Sequence, residues 1–352
     1  MAEILTRKEL VIKVCICLAG LVVIMCLCSL VGTGEVSLAR VFDGPGKAPG
    51  ENIDYEIFVG IRLPRVVLAA LVGAALACCG VVLQAILRNP LADPYILGIS
   101  SGAGLGTIVA VLSGITWSFW GGSPMAVFAF VGALGTVWLV WFIGRFAGKS
   151  QVTSLLLAGV VVNAFFSAVI MFLISIAKSD QVRQTVFWLM GNITEKDPAV
   201  LWGSAGCILT GIIVLFSICH RLNVLTLGEE EAKGLGVDTA RTKIIAFGFA
   251  AFITAIAVSL SGLIGFVGLV VPHGVRLVFG PDHRQLLPLS AIIGSGFLVV
   301  ADTLARTIVA PEQLPVGVIT AIAGGPFFLI LLAKYTRKVG LHFGTSGKTG
   351  AR

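Results

Sequence analysis

Two glycine-rich, lysine-containing turns come nearest to a known chemistry. GRFAGKS, Gly144 to Ser150, ends like a phosphate-binding loop, whose backbone N–H groups cradle a nucleotide. That loop needs four residues between its glycines and a strand before it, whereas here there are three and the preceding run is apolar and of membrane-helix length. GTSGKT, Gly344 to Thr349, is shorter still, so neither turn is expected to bind nucleotide. His220, His273, His283 and His342 are dispersed without ligand spacing, which argues against a metal centre or a general acid–base pair. Cys15, Cys17, Cys26, Cys28, Cys78, Cys79, Cys207 and Cys219 lie in apolar stretches with no CxxC pair, and read as small packing residues. The expectation is a chain with no catalytic residues, no cofactor and no metal site.

The elements that would carry any function are membrane helices. Of 352 residues 57% are hydrophobic and 12% charged, with a mean hydropathy of +1.00, too much apolar surface for one water-soluble core. Apolar runs fall at 11–32, 66–87, 95–113, 124–144, 153–176, 198–219, 243–263, 265–279, 286–305 and 315–334. They predict an all-α integral membrane protein of about ten transmembrane helices forming a single domain over 1–352. The weakest boundary is between the seventh and eighth runs, where Ser259, Ser261, Gly262 and Gly265 alone interrupt the apolar stretch. Arg7, Lys8 and Lys13 before the first run resemble the start of a signal peptide, but the run is long enough to span uncleaved.

The net charge of +7 is spread over short loops, so it reads as topology rather than as nucleic-acid binding. With ten crossings, seventeen of the 25 lysines and arginines fall on the side of both termini. The remaining eight are Arg40, Lys47, Arg62, Arg65, Lys178, Arg183, Lys196 and Arg306, which places both termini in the cytoplasm by the positive-inside rule. The loop 33–65 is then extracytoplasmic. The loop 220–243 is cytoplasmic, and in it Glu229, Glu230 and Glu231 can open a short helix that Gly234 or Gly236 closes. Such a helix offers a surface that another protein can grip. The spans carry almost no ionisable residue, Lys13 and Asp302 lying near predicted ends, so the energy for any transport is expected from another subunit rather than from a proton relay. Glycines and serines at 98–106 and 262–268 suit close helix contacts or broken helices.

Five stretches resemble a known family: Arg62–Gly104 (RLPRVVLAALVGAALACCGVVLQAILRNPLADPYILGISSGAG), Leu155–Gly159, Leu227–Val237, Gly262–Gly296 and Leu314–Phe328. In this order and over nearly the whole chain they resemble FecCD-type permeases of bacterial ABC importers, the iron-chelate, haem and cobalamin uptake permeases. The resemblance implies a single permease domain of the type II importer fold in the bacterial cytoplasmic (inner) membrane. It implies pairing as a homodimer or a paralogous heterodimer, two cytoplasmic ATPase subunits and an extracytoplasmic binding protein, with membrane lipid around and no nucleic acid. The chain itself would not be an enzyme.

The same resemblance implies roles for particular residues. Gly228, Glu229, Glu230, Glu231, Ala232, Lys233, Gly234, Leu235 and Gly236 match the coupling helix that fits the ATPase. Arg62, Arg65 and Arg306 match arginines that meet glutamates of the binding protein, and Val152, Thr153 and Ser154 match the cytoplasmic gate. Thr153 or Ser154 read equally well as a helix N-cap. Asn89, Pro90, Asp93 and Pro94 are expected to shape a turn. The cargo implied is an iron(III)-siderophore or related chelate, with cobalamin or haem as alternatives. Outside the family, a proton-driven secondary transporter and a non-transporting scaffold are the competing readings.

Overall fold

The computed structural model describes residues 6–46, 50–116, 122–146, 151–194 and 197–344, with the backbone alone for 145–146, 151–153 and 331–344. Lys47, Lys149, Lys196, Lys348 and Arg352, counted in the charge pattern, lie outside the described residues, as does most of each glycine-lysine turn. In lipid every backbone N–H must find its acceptor inside the segment, which favours helices, and no strand occurs among the described residues.

The helices are α1 (Arg7–Leu30), α2 (Leu38–Phe42), α3 (Ile53–Tyr55), α4 (Leu63–Ile86), α5 (Ile99–Ser113), α6 (Pro124–Phe146), α7 (Gln151–Ile176) and α8 (Ser179–Leu189). There follow α9 (Pro198–Ser217), α10 (Cys219–Leu225), α11 (Glu229–Gly234), α12 (Thr239–Ser261), α13 (Val267–Phe279), α14 (His283–Thr307) and α15 (Val316–Gly344). Among the described residues seven helical runs are long and apolar enough to cross a membrane, and α5, α13 and the apolar part of α15 are shorter. The protein is thus a multi-span α-helical membrane protein.

Helix α4 is the hub. Nineteen of its 24 residues are buried, against α14, α12, α13 and α9. It can be enclosed because it presents glycine where others cross: a Cβ on Gly73 would collide with the Gly294 carbonyl, and one on Gly80 with that of Gly268. Outward faces are apolar instead, with Leu157, Phe165, Phe172 and Ile213 exposed.

Two helices are too short to cross the layer alone. At 1.5 Å per residue, the 15 residues of α5 and the 13 of α13 span about 22 and 20 Å, short of a hydrocarbon core of about 30 Å. Each follows a non-α segment: a 3₁₀ turn, Pro94–Leu97, before α5, and residues 262–266 before α13. The segments satisfy each other, since the Tyr95 hydroxyl donates to the Ile264 carbonyl and accepts from the Ile264 N–H, both at 3.0 Å. Pro94 lies over Gly268, where a Cβ would meet its ring. The third apolar run therefore begins as a 3₁₀ turn rather than as helix at 95. The stretch between the seventh and eighth runs is a true break, with Phe266 at φ +70.

A second correction concerns residues 33–65, expected to be loop. A continuous helical run covers Ile53–Ile86, its part Glu56–Arg62 being π-helical. Pro64, at the start of α4, has no N–H to give the preceding turn, and the wider π register with its Leu63 N–H to Phe58 carbonyl bond absorbs that loss. Arg62 and Arg65 consequently project from a helix.

Candidate functional site

Polar side chains collect at the two ends of the bundle. At one end, where α4 begins and α14 finishes, Arg62, Arg65, Arg306 and Asp302 are each at most 6% exposed. Arg65 grips Asp302 through Nε (3.1 and 3.2 Å) and Nη2 (3.0 Å) and reaches Gln313 Oε1 with Nη1 at 2.9 Å. Arg306 Nε lies 3.7 Å from Asp302, and its Nη2 donates to the Cys28 carbonyl at 2.7 Å. Arg62 is held by carbonyls at the end of α1, Leu30 at 2.8 Å and Ser29 at 3.4 Å, together with Gly34. Gly32 makes room, since a Cβ there would meet the guanidinium.

The three arginines expected to face a partner thus lie beneath the surface and bond within the chain. Asp302 is the one carboxylate beside three guanidiniums, two of which approach it while Arg62 bonds to carbonyls, so the cluster keeps a net positive charge. Asp302 lies near the end of its helix as expected; the addition is that it, Arg65 and Arg306 are buried together where α14 ends and α4 begins. A carboxylate in an otherwise uncharged run, 286–305, was the signal available in the sequence.

At the opposite end, α11 stands clear of the bundle. Gly228 precedes it, Ala232 is its one buried residue, and Glu230, Lys233, Gly234, Leu235 and Gly236 are exposed. Gly236, at φ +80, closes it, with its N–H on Lys233 and the Val237 N–H on Ala232. The Glu229 carboxylate pairs with Lys243 Nζ of α12 at 2.5 Å, and that bond draws its pKa down. Glu230 pairs with Lys233 at 3.1 Å across the exposed face.

Beside it lies a cluster not anticipated from the sequence. Asn223 Nδ2 donates to Asp282 Oδ1 at 2.8 Å, and Asn223 Oδ1 accepts from the His283 N–H at 2.8 Å and faces its Nδ1 at 2.6 Å. Burial alone would raise Asp282; hydrogen bonds from Arg284 and Asn223 outweigh it and hold the carboxyl down at about 2.

The expected gate, Val152, Thr153 and Ser154, falls in the first turn of α7. Ser154 is half-buried, and the side chains of Val152 and Thr153 lie outside the described residues.

Buried charge clustered at one end, broken helices within the bundle and a protruding helix at the other end fit a transport-type membrane subunit with the ABC importer permease fold. The profile of the FecCD transport family matches residues 20–334, and the chain belongs to that family. It is 46% identical over 278 residues to the cobalamin import system permease protein BtuC of Halobacterium salinarum, covering 79% of this chain and 73% of that protein. It is 42% identical over 282 residues to the hemin transport system permease protein HmuU of Yersinia pestis, covering 80% and 84%. A solved ABC transporter described as metal-chelate type, in an inward-facing conformation, superposes with a TM-score of 0.77 at 32% identity, covering 90% of this chain and 98% of that one.

Proposed function

We propose that this chain is the membrane-spanning subunit of an ATP-driven importer in the bacterial cytoplasmic membrane, carrying a metal chelate of the ferric-siderophore class. Cobalamin and haem are the alternatives. Family membership carries the reading, and the names of the relatives supply the cargo classes.

The geometry supports the following assignment of parts. A separate pair of ATPase subunits supplies the energy and grips Gly228 to Gly236, the helix tied to α12 through Glu229. Both termini face the cytoplasm, which puts α11 on the ATPase side and the arginine cluster outside. A binding protein docks there with acidic groups drawn by the excess charge of Arg62, Arg65 and Arg306, a field effect across a short distance rather than surface salt bridges. Two permeases, identical or paralogous, enclose the pathway, and Val152 to Ser154 close its inner side.

The buried carboxylate of Asp302 is the one observation that favours a proton-driven transporter, but its oxygens are taken by Arg65 at 3.0 Å and approached by Arg306 at 3.7 Å, which suits a structural tie better than a relay. The deciding experiment purifies the tagged chain in mild detergent, identifies what accompanies it by mass spectrometry, and measures uptake in proteoliposomes. A copurifying ATPase and uptake that stops without ATP are expected. Uptake that survives ATP removal and collapses with a protonophore would transfer the assignment to the proton-driven class.

A further inference from the structure

A cavity of about 300 Å³ opens at the α11 end of the bundle, lined among others by Gln84, Arg88, Pro90, Thr226, Arg276 and His283. Among the described residues no carboxylate lines it. Arg276, half-buried, donates to the neutral Gln84 Oε1 at 3.1 Å, and neither Arg276 nor Arg88 forms an ion pair among the described residues. The carboxylates nearby are taken, Asp282 by Arg284 and Glu229 by Lys243. Arg276 is a half-buried guanidinium whose side-chain partner is neutral, which is costly unless an anion completes it, and Arg88 lines the same cavity from its exposed rim.

His283 narrows the chemistry. Asn223 must point its oxygen at the His283 backbone N–H and its amide nitrogen at Asp282, so the oxygen also faces Nδ1. Nδ1 therefore carries the proton and Nε2 a lone pair. Nε2 is buried without a partner among the described residues, in a side chain 3% exposed, and it needs a donor.

We infer that this cavity binds a phosphate-bearing anion that also carries a hydroxyl, its phosphate on Arg88 and Arg276 and its hydroxyl on His283 Nε2. Planar guanidinium forks suit phosphate oxygens, and the volume is that of a small-ligand site. A glycerol-phosphate lipid headgroup and free phosphate share this chemistry.

The test uses the delipidated full-length protein and follows thermal unfolding with dioctanoyl-phosphatidylglycerol, inorganic phosphate, dioctanoyl-phosphatidylcholine, and chloride at matched ionic strength. A saturable rise in the midpoint with phosphatidylglycerol identifies a lipid source, and one with inorganic phosphate alone a free one; phosphatidylcholine and chloride should give none. R88Q and R276Q should each weaken the response at least tenfold, while R241Q, at an exposed guanidinium of α12 that does not line the cavity, should leave it unchanged. Arg88 is exposed, so R88Q reads the site even if R276Q fails to fold. Absence of a saturable shift with either phosphate compound, equal affinity in R88Q and R241Q, or protection that appears only with a copurifying ATPase would overturn the proposal.

Discussion

Asp302 is the residue on which one end of the molecule depends. It is the carboxylate that Arg65 holds bidentately and that Arg306 approaches, and all three are almost wholly buried. Removing one partner of a buried pair leaves the other uncompensated, at a cost of about 3–5 kcal/mol. D302N, which keeps the shape, should lower the unfolding midpoint accordingly, and D302N/R65Q should recover part of the loss in a double-mutant cycle. Full additivity would show that the pair is not coupled. At the opposite end Asp282 sets a pH dependence. Its carboxyl stands at about 2 against an ordinary value of about 3.9, so its contribution is present at neutral pH and lost as pH falls from about 5 toward 2. Wild type should therefore lose stability relative to D282N over that window and not above it. The arginines were legible as residues of interest. Their burial was not, because Arg65 and Asp302 are 237 positions apart and no local pattern pairs them.

The helices were more legible than the residues, because the apolar runs are long and the solvent is lipid. The run read at 124–144 is helical over Pro124–Phe146, and the one at 198–219 over Pro198–Ser217. What hydropathy could not show is backbone that stays apolar while leaving the helix. Residues 262–266 and the Pro94–Leu97 turn are as hydrophobic as their neighbours, and only a hydroxyl on Tyr95 reveals that their backbone groups are met from outside the helix. Y95F strips Ile264 of both partners and should cost about 1–3 kcal/mol, read as a lower unfolding midpoint, since buried peptide groups without partners pay their desolvation in full. An unchanged midpoint would mean that water already serves Ile264. For α11 the closing residue is Gly236 rather than Gly234, because φ +80 excludes a side chain only at Gly236. G236A should weaken the helix by about 1–2 kcal/mol and G234A should not, a difference read by protease sensitivity of the loop 226–238.

At the scale of the whole molecule the question is how an event at α11 reaches the other end. Helix α12 is the evident rod, for it runs from Lys243, bonded to Glu229 of α11, to Ser261, whose carbonyl accepts the Asn192 N–H just past α8 at 2.7 Å. Gly262 then packs so closely on the Trp188 carbonyl that a Cβ would collide with it. Packed elements of this kind move as units, so a displacement of α11 toward the ATPase should be felt at α8 if the Glu229–Lys243 tie holds. K243E breaks the tie with like charges while leaving intact the exposed face of α11 that we propose the ATPase grips. In proteoliposomes containing the ATPase partner it should preserve ATP hydrolysis and reduce uptake severalfold. E229K/K243E restores opposite charges and should recover most of the uptake. Recovery would be hard to obtain from a merely structural role, because the exchange reverses both charges in a new setting and keeps only their attraction. If K243E transports normally, α11 is coupled to the bundle through Ala232 and the α10–α11 packing instead, and the tie is incidental.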